Sequence, residues 1–384
     1  MRAQALSRSI MLAVSWSILL VPAGRAQDTP LARGTKHFDK GDYARAAVAF
    51  EQGVAAGDAA CMDFLGFLYL EGFGKKPRPW IAFGYFRQAA ELGNDQACRN
   101  LGNMYFDGRG VEPDPVQAAA WWEKSSARGK DPRPAISLAQ LYWLGDALPR
   151  DAERARKYWQ RAKQLGSDDS IVALAVLDAK AGGSAAVSAL KALATKGHVT
   201  AQGTLKYLQL RDAATAVLVK DVPFVHQAYN FCGVASSTML LRYQGVKVSQ
   251  FDVARTRTVN KWGEGSYWDE LVSVAGKLGR KWRIDSFANT EQGFTTAKSA
   301  LIRELRAGRP VIIDILESLS SDSAHSIVVC GYDPPSAEFL VRNPALPFPG
   351  FQVFPEKRLK VIWRSRGFIP KNDKLLRPMM LAIR

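Results

Sequence analysis

The sequence predicts a multidomain chain in which an all-α helical-repeat solenoid precedes an α+β domain. In the first half, glycines and aromatic residues recur every 36 to 37 positions. After about residue 220, the helical pattern gives way to short apolar strands separated by turns. The chain has 384 residues, of which 47% are hydrophobic and 23% are charged. This length exceeds that of an ordinary domain, and the composition is typical of a folded protein.

The N-terminal residues 1–26 are predicted to be a secretory signal peptide. Two arginines precede an apolar stretch over 10–23, and Gly24 and Ala26 supply the small residues that a signal peptidase reads. The apolar stretch is too short to cross the hydrocarbon core of a bilayer as a helix. An uncleaved membrane anchor is the alternative interpretation. We therefore expect a bacterial protein that is periplasmic or secreted, with no membrane span after signal removal.

The basic charge of the chain is spread along its length. Lys and Arg number 52 against 36 Asp and Glu, which gives a formal net charge of +16. The sequence has no long basic run and no nucleic-acid-binding motif, so we expect no nucleic-acid partner. The four cysteines form no CxxC pair, and the chain has only four histidines. These counts rule out a disulfide framework, and we expect no metal site.

Residues 27–213 are predicted to form helical repeats. Helix–turn–helix units of this period stack on their neighbours, with aromatic side chains in the core and a glycine that ends a helix in the left-handed conformation. Beyond Gly166 the pattern decays into alanine-rich helices that end near Arg211. The three columns that repeat in step are Gly57, Gly93, Gly129 and Gly166; Phe50, Phe86, Trp122 and Trp159; and Tyr69, Tyr105 and Tyr142.

The third unit has the fullest set of recurring residues. In chain order they are Ala97, Leu101, Gly102, Tyr105, Gly108, Gly110, Val111, Asp114, Ala118, Trp121 and Gly129. At these positions the array resembles the Sel1-like repeats, which are relatives of the tetratricopeptide repeat. The resemblance implies a right-handed superhelix that binds protein partners and carries no chemistry of its own. Cys61 and Cys98 fall at nearly equivalent places in successive units, too far apart for a disulfide, and are predicted to be buried free thiols.

The second half of the chain, residues 220–365, carries the candidate chemistry. Cys232 opens an apolar helix, His325 directly precedes an apolar strand, and Asn343 follows the next strand. This order of cysteine, histidine and asparagine is typical of a cysteine-nucleophile site. Gln227, five residues before the cysteine, completes the candidate catalytic set. The pattern predicts helices over 234–243, 268–278 and 295–307, strands over 311–315, 326–330 and 339–342, and an extended segment over 222–225.

Each of the four candidate residues has a distinct expected role. The first turn of a helix presents unpaired N–H groups and the positive end of the helix dipole, which favour a Cys232 thiolate. His325 would take the thiol proton and later protonate the leaving group, while Asn343 would hold the imidazole in orientation. Gln227 would direct its amide N–H₂ at the oxyanion, beside the backbone N–H of Cys232. This chemistry needs no metal or organic cofactor.

Two neighbouring residues are assigned no catalytic role. His226 adjoins Gln227 and is expected to face solvent. Cys330 lies in an apolar strand and is expected to be a buried hydrophobe.

The sequence motifs around these residues point to a known family. The motif residues are Val222-Pro223-Phe224-Val225-His226-Gln227, Asn230, Cys232-Gly233, Ala235-Ser236, His325 and Gly331-Tyr332-Asp333. Over residues 220–365 the chain resembles the C39-like peptidases of the papain-like superfamily. The resemblance implies an α+β papain-like cysteine peptidase domain that acts on a peptide or protein substrate. It also implies that Gly265 and Ser266 form a wall of the substrate groove.

The sequence departs from the family pattern at two positions. Val234 stands where the family has proline, which is a modest change in the first turn of a helix. Asn343 stands where the family has aspartate in an Asp-Pro pair, so the support that a carboxylate gives to an imidazolium would be missing. Asparagine serves in papain itself, and we therefore expect activity.

The sequence thus predicts a cysteine peptidase that uses Cys232, His325, Asn343 and Gln227, with a repeat domain that binds a protein partner or the substrate. Residues 366–384 are interpreted as a C-terminal extension. Two alternatives remain open at this point. One is a pseudo-peptidase that acts as an envelope scaffold and only binds peptides, and the other is an acyltransferase that uses the same cysteine.

Overall fold

The computed structural model describes most of the chain after the predicted signal peptide. Residues 1–26, Gly265 and Ser266 lie outside the described residues, as does most of 366–384. The described ranges are 29–74, 76–145, 147–180, 183–211, 213, 216–228, 231–256, 268–288, 290–316, 324–346, 350–363 and 379–383.

The contacts within the chain define two compact units, Met1–Asn94 and Asp95–Arg384. The first unit is helical throughout its described residues. Its helices are α1 (Pro30–Asp39), α2 (Tyr43–Ala55), α3 (Ala59–Glu71) and α4 (Pro79–Glu91).

The second unit contains further repeat helices and then a mixed domain. Its first helices are α5 (Asp95–Asp107), α6 (Pro115–Arg128), α7 (Arg133–Leu144), α8 (Ala152–Gln164), α9 (Asp168–Lys180), α10 (Ser184–Thr195) and α11 (Val199–Arg211). The mixed domain adds α12 (Cys232–Tyr243), α13 (Gln250–Thr256), α14 (Trp268–Lys277), α15 (Glu291–Arg306) and α16 (Glu356–Ile362). None of the helices in the described ranges is long and apolar enough to cross a membrane.

The mixed domain is built on one antiparallel sheet, which has seven strands within the described residues. The strands are β1 (Val217–Leu218), β2 (Trp282–Ser286), β3 (Val311–Leu316), β4 (Ala324–Asp333), β5 (Glu338–Arg342), β6 (Gln352–Pro355) and β7 (Met379–Ile383). Their order is β2-β7-β3-β4-β5-β6, and β1 pairs with β4. The predicted fold class, helical repeats followed by an α+β papain-like domain, is confirmed.

The repeat helices pack through the aromatic column that the sequence predicts. Phe50, Phe86, Trp122 and Trp159 are all at most 3% exposed. Within each unit the ring lies directly on a glycine of a neighbouring helix, where a side chain would overlap it; these pairs are Gly34 with Phe50, Gly66 with Phe86, and Gly102 with Trp122. The glycines therefore recur because the backbones must approach closely to bury a large ring between them.

Gly129 does not adopt the left-handed conformation predicted for the glycine column. Gly57, Gly93 and Gly166 have φ values of 79°, 87° and 89°, whereas Gly129 has φ −75° and ψ 161°. After the other three glycines the next helix begins two residues later, so the chain must reverse at the glycine itself. After Gly129 the next helix begins four residues later, behind Pro132, and the longer turn can start in an extended conformation.

The interpretation of residues 366–384 as an extension is wrong for its last part. Strand β7 lies inside the sheet, where it pairs with β2 on one side and with β3 on the other. Met380, Leu381 and Ala382 have no exposed surface. This apolar run forms a strand because both of its edges are hydrogen-bonded and its side chains are buried in the core.

The last repeat helix, α11, packs on the sheet through Gly203. A methyl group at Gly203 would lie 2.0 Å from the carbonyl oxygen of Phe351, just before β6. The Phe351 ring stacks on Tyr207 of the same helix, with ring centroids 4.2 Å apart. Lys206 Nζ adds an ion pair with Glu338 of β5 at 2.8 Å. The helix is therefore joined to the edge of the sheet by close backbone packing, by stacking and by charge.

We expect Gly203→Ala to lower the free energy of unfolding by about 1–3 kcal/mol, because the added methyl group would overlap a backbone carbonyl. Helix propensity alone would favour alanine by roughly 1 kcal/mol. Gly276→Ala in α14 is the matched control, since its methyl group would meet no atom within 4 Å, and it should be neutral or stabilising. Urea denaturation of both full-length variants measures the difference. Equal stabilities would contradict the close packing of α11 on the sheet.

Candidate active site

Cys232 is the first residue of α12 and is half-buried, whereas the next nine residues of the helix are buried. The preceding residue, Phe231, supplies no side-chain hydrogen bond to cap the helix. The N–H groups of the first helical turn have no partners within the helix. The Cys232 side chain therefore lies at the open, positive end of a helix dipole, with its own backbone N–H available to a ligand.

A buried hydrogen bond joins the cysteine helix to the histidine strand. Ser236, one turn after Cys232, donates its hydroxyl to the carbonyl oxygen of Ser326 at 3.0 Å. The Ser326 hydroxyl in turn donates to the carboxylate of Asp314 on β3, its register partner. Because Ser326 directly follows His325, these bonds fix the start of α12 against the strand that carries the imidazole.

His325 lies on β4 and is 6% exposed. Its Nε2 is 2.7 Å from Oδ1 of Asn343, the residue that follows β5. The same Oδ1 accepts a hydrogen bond from the backbone N–H of Ala345 at 3.0 Å, and the Asn343 amide nitrogen donates to Gln352 Oε1 at 3.0 Å. These two partners fix which end of the amide is oxygen, so Nε2 of His325 carries a proton and donates it. Nδ1 is then the ring nitrogen that can act as a base.

Gln227 is held beside Asn343 by its backbone. Its N–H donates to the carbonyl oxygen of Pro344 at 3.0 Å. The buried side chain of Gln250 holds the residues on either side, because it accepts from Ala228 N–H at 3.0 Å and donates to the carbonyl oxygen of His226 at 2.8 Å. Gln227 Oε1 is buried and has no hydrogen-bond partner among the described residues. The backbone of Gln227 is thus fixed, while its amide group keeps hydrogen-bonding capacity.

The structure links three of the four predicted catalytic residues by hydrogen bonds, and it joins the helix of the fourth to the histidine strand. His325, Asn343 and Gln227 are linked by the bonds at Asn343 and Pro344, and Cys232 is positioned through Ser236 and Ser326. The predicted groove residues Gly265 and Ser266 lie outside the described residues. Two positioning residues are new, Gln250 and Gln352, and nothing in the spacing of the sequence distinguishes them from other glutamines.

The expectation that His226 faces solvent is wrong. The imidazole is half-buried, and its Nδ1 is 3.0 Å from the carbonyl oxygen of Leu346. Burial lowers the pKa of His226, although its hydrogen bond to Leu346 acts to raise it. The ring is therefore neutral at pH 7. The turn that carries Asn343 continues to Leu346, and the carbonyl oxygen of Leu346 holds the His226 ring against the protein.

The other three cysteines are buried free thiols, as the sequence predicts. Burial raises the pKa of both Cys61 and Cys330 to about 12 and also raises the pKa of Cys98. At neutral pH these thiols are protonated and shielded from reagents. Within the described residues, no group of three or more His, Cys, Asp and Glu side chains is placed to hold a metal ion.

Iodoacetamide is therefore expected to alkylate Cys232 of the native protein at pH 7 and to leave the other three cysteines unmodified. Thiolates are the reactive species, and a raised pKa keeps Cys61 and Cys330 in the thiol form until the pH approaches 12. Peptide mass spectrometry after timed labelling measures each site, and labelling in denaturant gives the control in which all four react. Equal rates in the native protein would contradict the distinct environment of Cys232.

The fold defines a class of protein, a helical-repeat chain with a papain-like domain. Comparison with family models identifies both parts. The Sel1 repeat model matches residues 59–94, 95–130 and 135–167, and the model of the Peptidase_C39 like family matches residues 219–369. The chain therefore contains Sel1 repeats followed by a C39-like peptidase domain.

The solved structures similar to this chain include Sel1-type repeat proteins. A Sel1 repeat protein from Oxalobacter formigenes is 24% identical, with 45% of this chain and 72% of that chain covered and a TM-score of 0.42. A protective antigen of uropathogenic Escherichia coli with an SLR fold is 22% identical, with 49% and 50% covered and a TM-score of 0.32. None of the curated proteins matches the sequence.

Proposed function

We propose that the chain is a cysteine peptidase that cleaves peptide or related amide bonds through Cys232, His325 and Asn343. The observation that carries the proposal is the 2.7 Å hydrogen bond between His325 Nε2 and Asn343 Oδ1. The orientation of this amide is set by Ala345 and Gln352. An imidazole oriented through Nε2 by an amide oxygen is the arrangement that a cysteine nucleophile requires of its base.

In the first step, His325 Nδ1 takes the proton of the Cys232 thiol, and the thiolate attacks the carbonyl carbon of the substrate. The negative charge that develops on the carbonyl oxygen is stabilised by the Cys232 backbone N–H and the Gln227 amide N–H₂. The imidazolium then gives its proton to the amine nitrogen as the C–N bond breaks. An amine leaves, and an acyl group remains on Cys232 as a thioester.

In the second step, water replaces the amine. His325 takes a proton from the water molecule, whose oxygen attacks the thioester carbon, and the same two donors stabilise the oxyanion. The C–S bond breaks, and the proton returns to Cys232 as the carboxylic acid product leaves. Throughout both steps Asn343 acts as a positioning residue, since it touches the imidazole and not the substrate.

The repeats serve to bind a protein partner or the substrate protein, and the enzyme acts in the periplasm or after secretion. Sel1 repeats are protein-interaction modules, and the predicted signal peptide supports the location. N-terminal sequencing of protein recovered from the envelope fraction tests this part. Cleavage after residue 26 would give a mature chain that begins at Gln27. An intact Met1 in cytoplasmic material would contradict the location and leave the peptidase proposal standing.

A peptide library and a peptidyl epoxide, which alkylates active-site thiols, together test the activity. Full-length protein should cleave library members and form one covalent adduct, on Cys232, and Cys232→Ala should do neither. An adduct without any cleaved peptide would favour the pseudo-peptidase alternative. Product that forms only when an amine acceptor is added would favour the acyltransferase alternative. Either outcome would contradict the proposed hydrolysis.

A further inference from the structure

A cavity of about 250 Å³ lies in the second unit, and its lining includes Arg342, the residue before Asn343. Its walls come from the repeat helices α7, α9 and α11 and from α12 and β5 of the mixed domain. Three arginines line it: Arg150, Arg242 and Arg342. Among the described residues, Asp221 is the one carboxylate in the lining. The volume is below the range of drug-sized ligand pockets and suits a group of a few heavy atoms.

Arg342 is the deepest of the three cations and is 8% exposed. Its Nη1 donates to the carbonyl oxygen of Gly350 at 3.0 Å, and its guanidinium lies 3.7 Å from the centre of the Phe351 ring. The Nε atom is buried and has no hydrogen-bond partner in the described part of the chain. Burial lowers the pKa of Arg342 to about 10, so the side chain remains positively charged at neutral pH.

A buried charge of this kind is normally paired, because removing an ion from water is costly unless an opposite charge replaces the solvent. The same domain follows this rule elsewhere. Glu304 is 2% exposed, and Arg283 and Arg309 each approach its carboxylate within 2.7 Å. Arg342 differs, since no carboxylate of the described residues lies within ion-pair distance of its guanidinium.

The other charged groups of the cavity do not neutralise Arg342. Arg150 is exposed at the mouth, where its guanidinium lies 4.5 Å from the centre of the Trp143 ring. Arg242 donates to the carbonyl oxygen of Val248 at 2.7 Å. Asp221 is exposed, and its charge acts on Arg342 from beyond ion-pair distance. The lining therefore contains three arginines and one exposed carboxylate.

We propose that this cavity binds a small oxyanion, a phosphate or carboxylate group, with Arg342 as its deep contact and Arg150 at its mouth. A guanidinium offers several N–H donors in one plane, which matches the oxygen atoms of such a group, and its charge shortens and strengthens the hydrogen bonds. The anion would supply the missing counter-charge. The proposal is independent of the peptidase proposal, because none of these side chains is assigned to the reaction.

Isothermal titration of the full-length protein with inorganic phosphate, at constant ionic strength, tests the site. We expect saturable binding of one anion per chain. Arg342→Met should weaken binding by about tenfold or more, the loss expected when a hydrogen bond to a charged group is removed. Arg306→Gln is the matched control, since it removes one exposed positive charge from α15, outside the cavity, and it should leave the affinity unchanged. A second titration with acetate identifies which oxyanion the site prefers.

Arg150→Gln provides a second test of anion binding if Arg342→Met does not fold, because Arg150 is exposed and its replacement leaves the core intact. The affinity of the Arg150→Gln protein for phosphate should be several-fold lower than that of the Arg306→Gln protein. Absence of saturable binding by both phosphate and acetate would overturn the proposal. Equal affinities for Arg342→Met, Arg150→Gln and Arg306→Gln would also overturn it, and Arg342 would then serve only to join β5 to Phe351.

Discussion

Replacement of Cys232 by alanine is expected to lower the rate of peptide hydrolysis by about 10⁴-fold or more, because no other group of the site can form the acyl intermediate. The fold should survive, since Cys232 is half-buried at the start of α12 and its sulfur leaves little cavity. Steady-state kinetics on a cleaved library peptide measures the loss, and circular dichroism and urea denaturation check the fold. Turnover by well-folded Cys232→Ala would remove this residue from the mechanism.

His325→Ala should lower the rate by about 10²–10⁴-fold, because general acid–base catalysis by the imidazole is lost. His37→Ala is a matched control, since it removes a histidine from α1, outside the candidate site. The two substitutions should also differ in the rate at which iodoacetamide labels Cys232. His325→Ala removes the base that deprotonates the thiol and should slow labelling, whereas His37→Ala should leave the rate unchanged. If His325→Ala and His37→Ala had equal rates, the base would have to be sought elsewhere.

The sequence predicts the elements that carry the candidate residues because those elements are short and strongly apolar. The predicted strand 311–315 is β3, and the predicted strand 339–342 lies within β5. Both strands are buried, so the change from apolar to polar residues in the sequence marks where each strand ends. The positions of His325 and Asn343 next to such runs place them at neighbouring strands, and the fold then brings the two side chains into contact.

The sequence does not predict features that depend on partners distant along the chain. Gln250 contacts residues 226 and 228 and Gln352 contacts residue 343, and in each case a single side chain acts without any periodic pattern. Strand β7 pairs with β2 and β3, which lie at least 60 residues before it. The burial of His226 likewise depends on the carbonyl oxygen of Leu346. Local composition carries no information about these contacts.

Asn343 is expected to contribute less than His325. Asn343→Ala should lower the rate by roughly 10²-fold or less, since the imidazole loses its orienting acceptor but keeps its chemistry. Asn343→Asp should be tolerated or more active. A carboxylate can accept from His325 Nε2 and from Ala345 N–H as the amide oxygen does. Gln352 can rotate its amide to donate to the second carboxylate oxygen. Inactivity of a well-folded Asn343→Asp protein would show that this position does not orient the base.

The contact between Asn343 and Gln352 allows a sharper test than either substitution alone. Gln352→Glu should be tolerated, because the Asn343 amide nitrogen can donate to a carboxylate as it now donates to Gln352 Oε1. Combining Asn343→Asp with Gln352→Glu places two acceptor-only carboxylates in contact, and both His325 and the turn should shift. We expect the double variant to lose activity by about tenfold beyond the product of the single effects, a coupling of about 1–2 kcal/mol. Independent effects in the four-protein cycle would mean that Gln352 does not position Asn343, and the orientation of the imidazole would then depend on Ala345 alone.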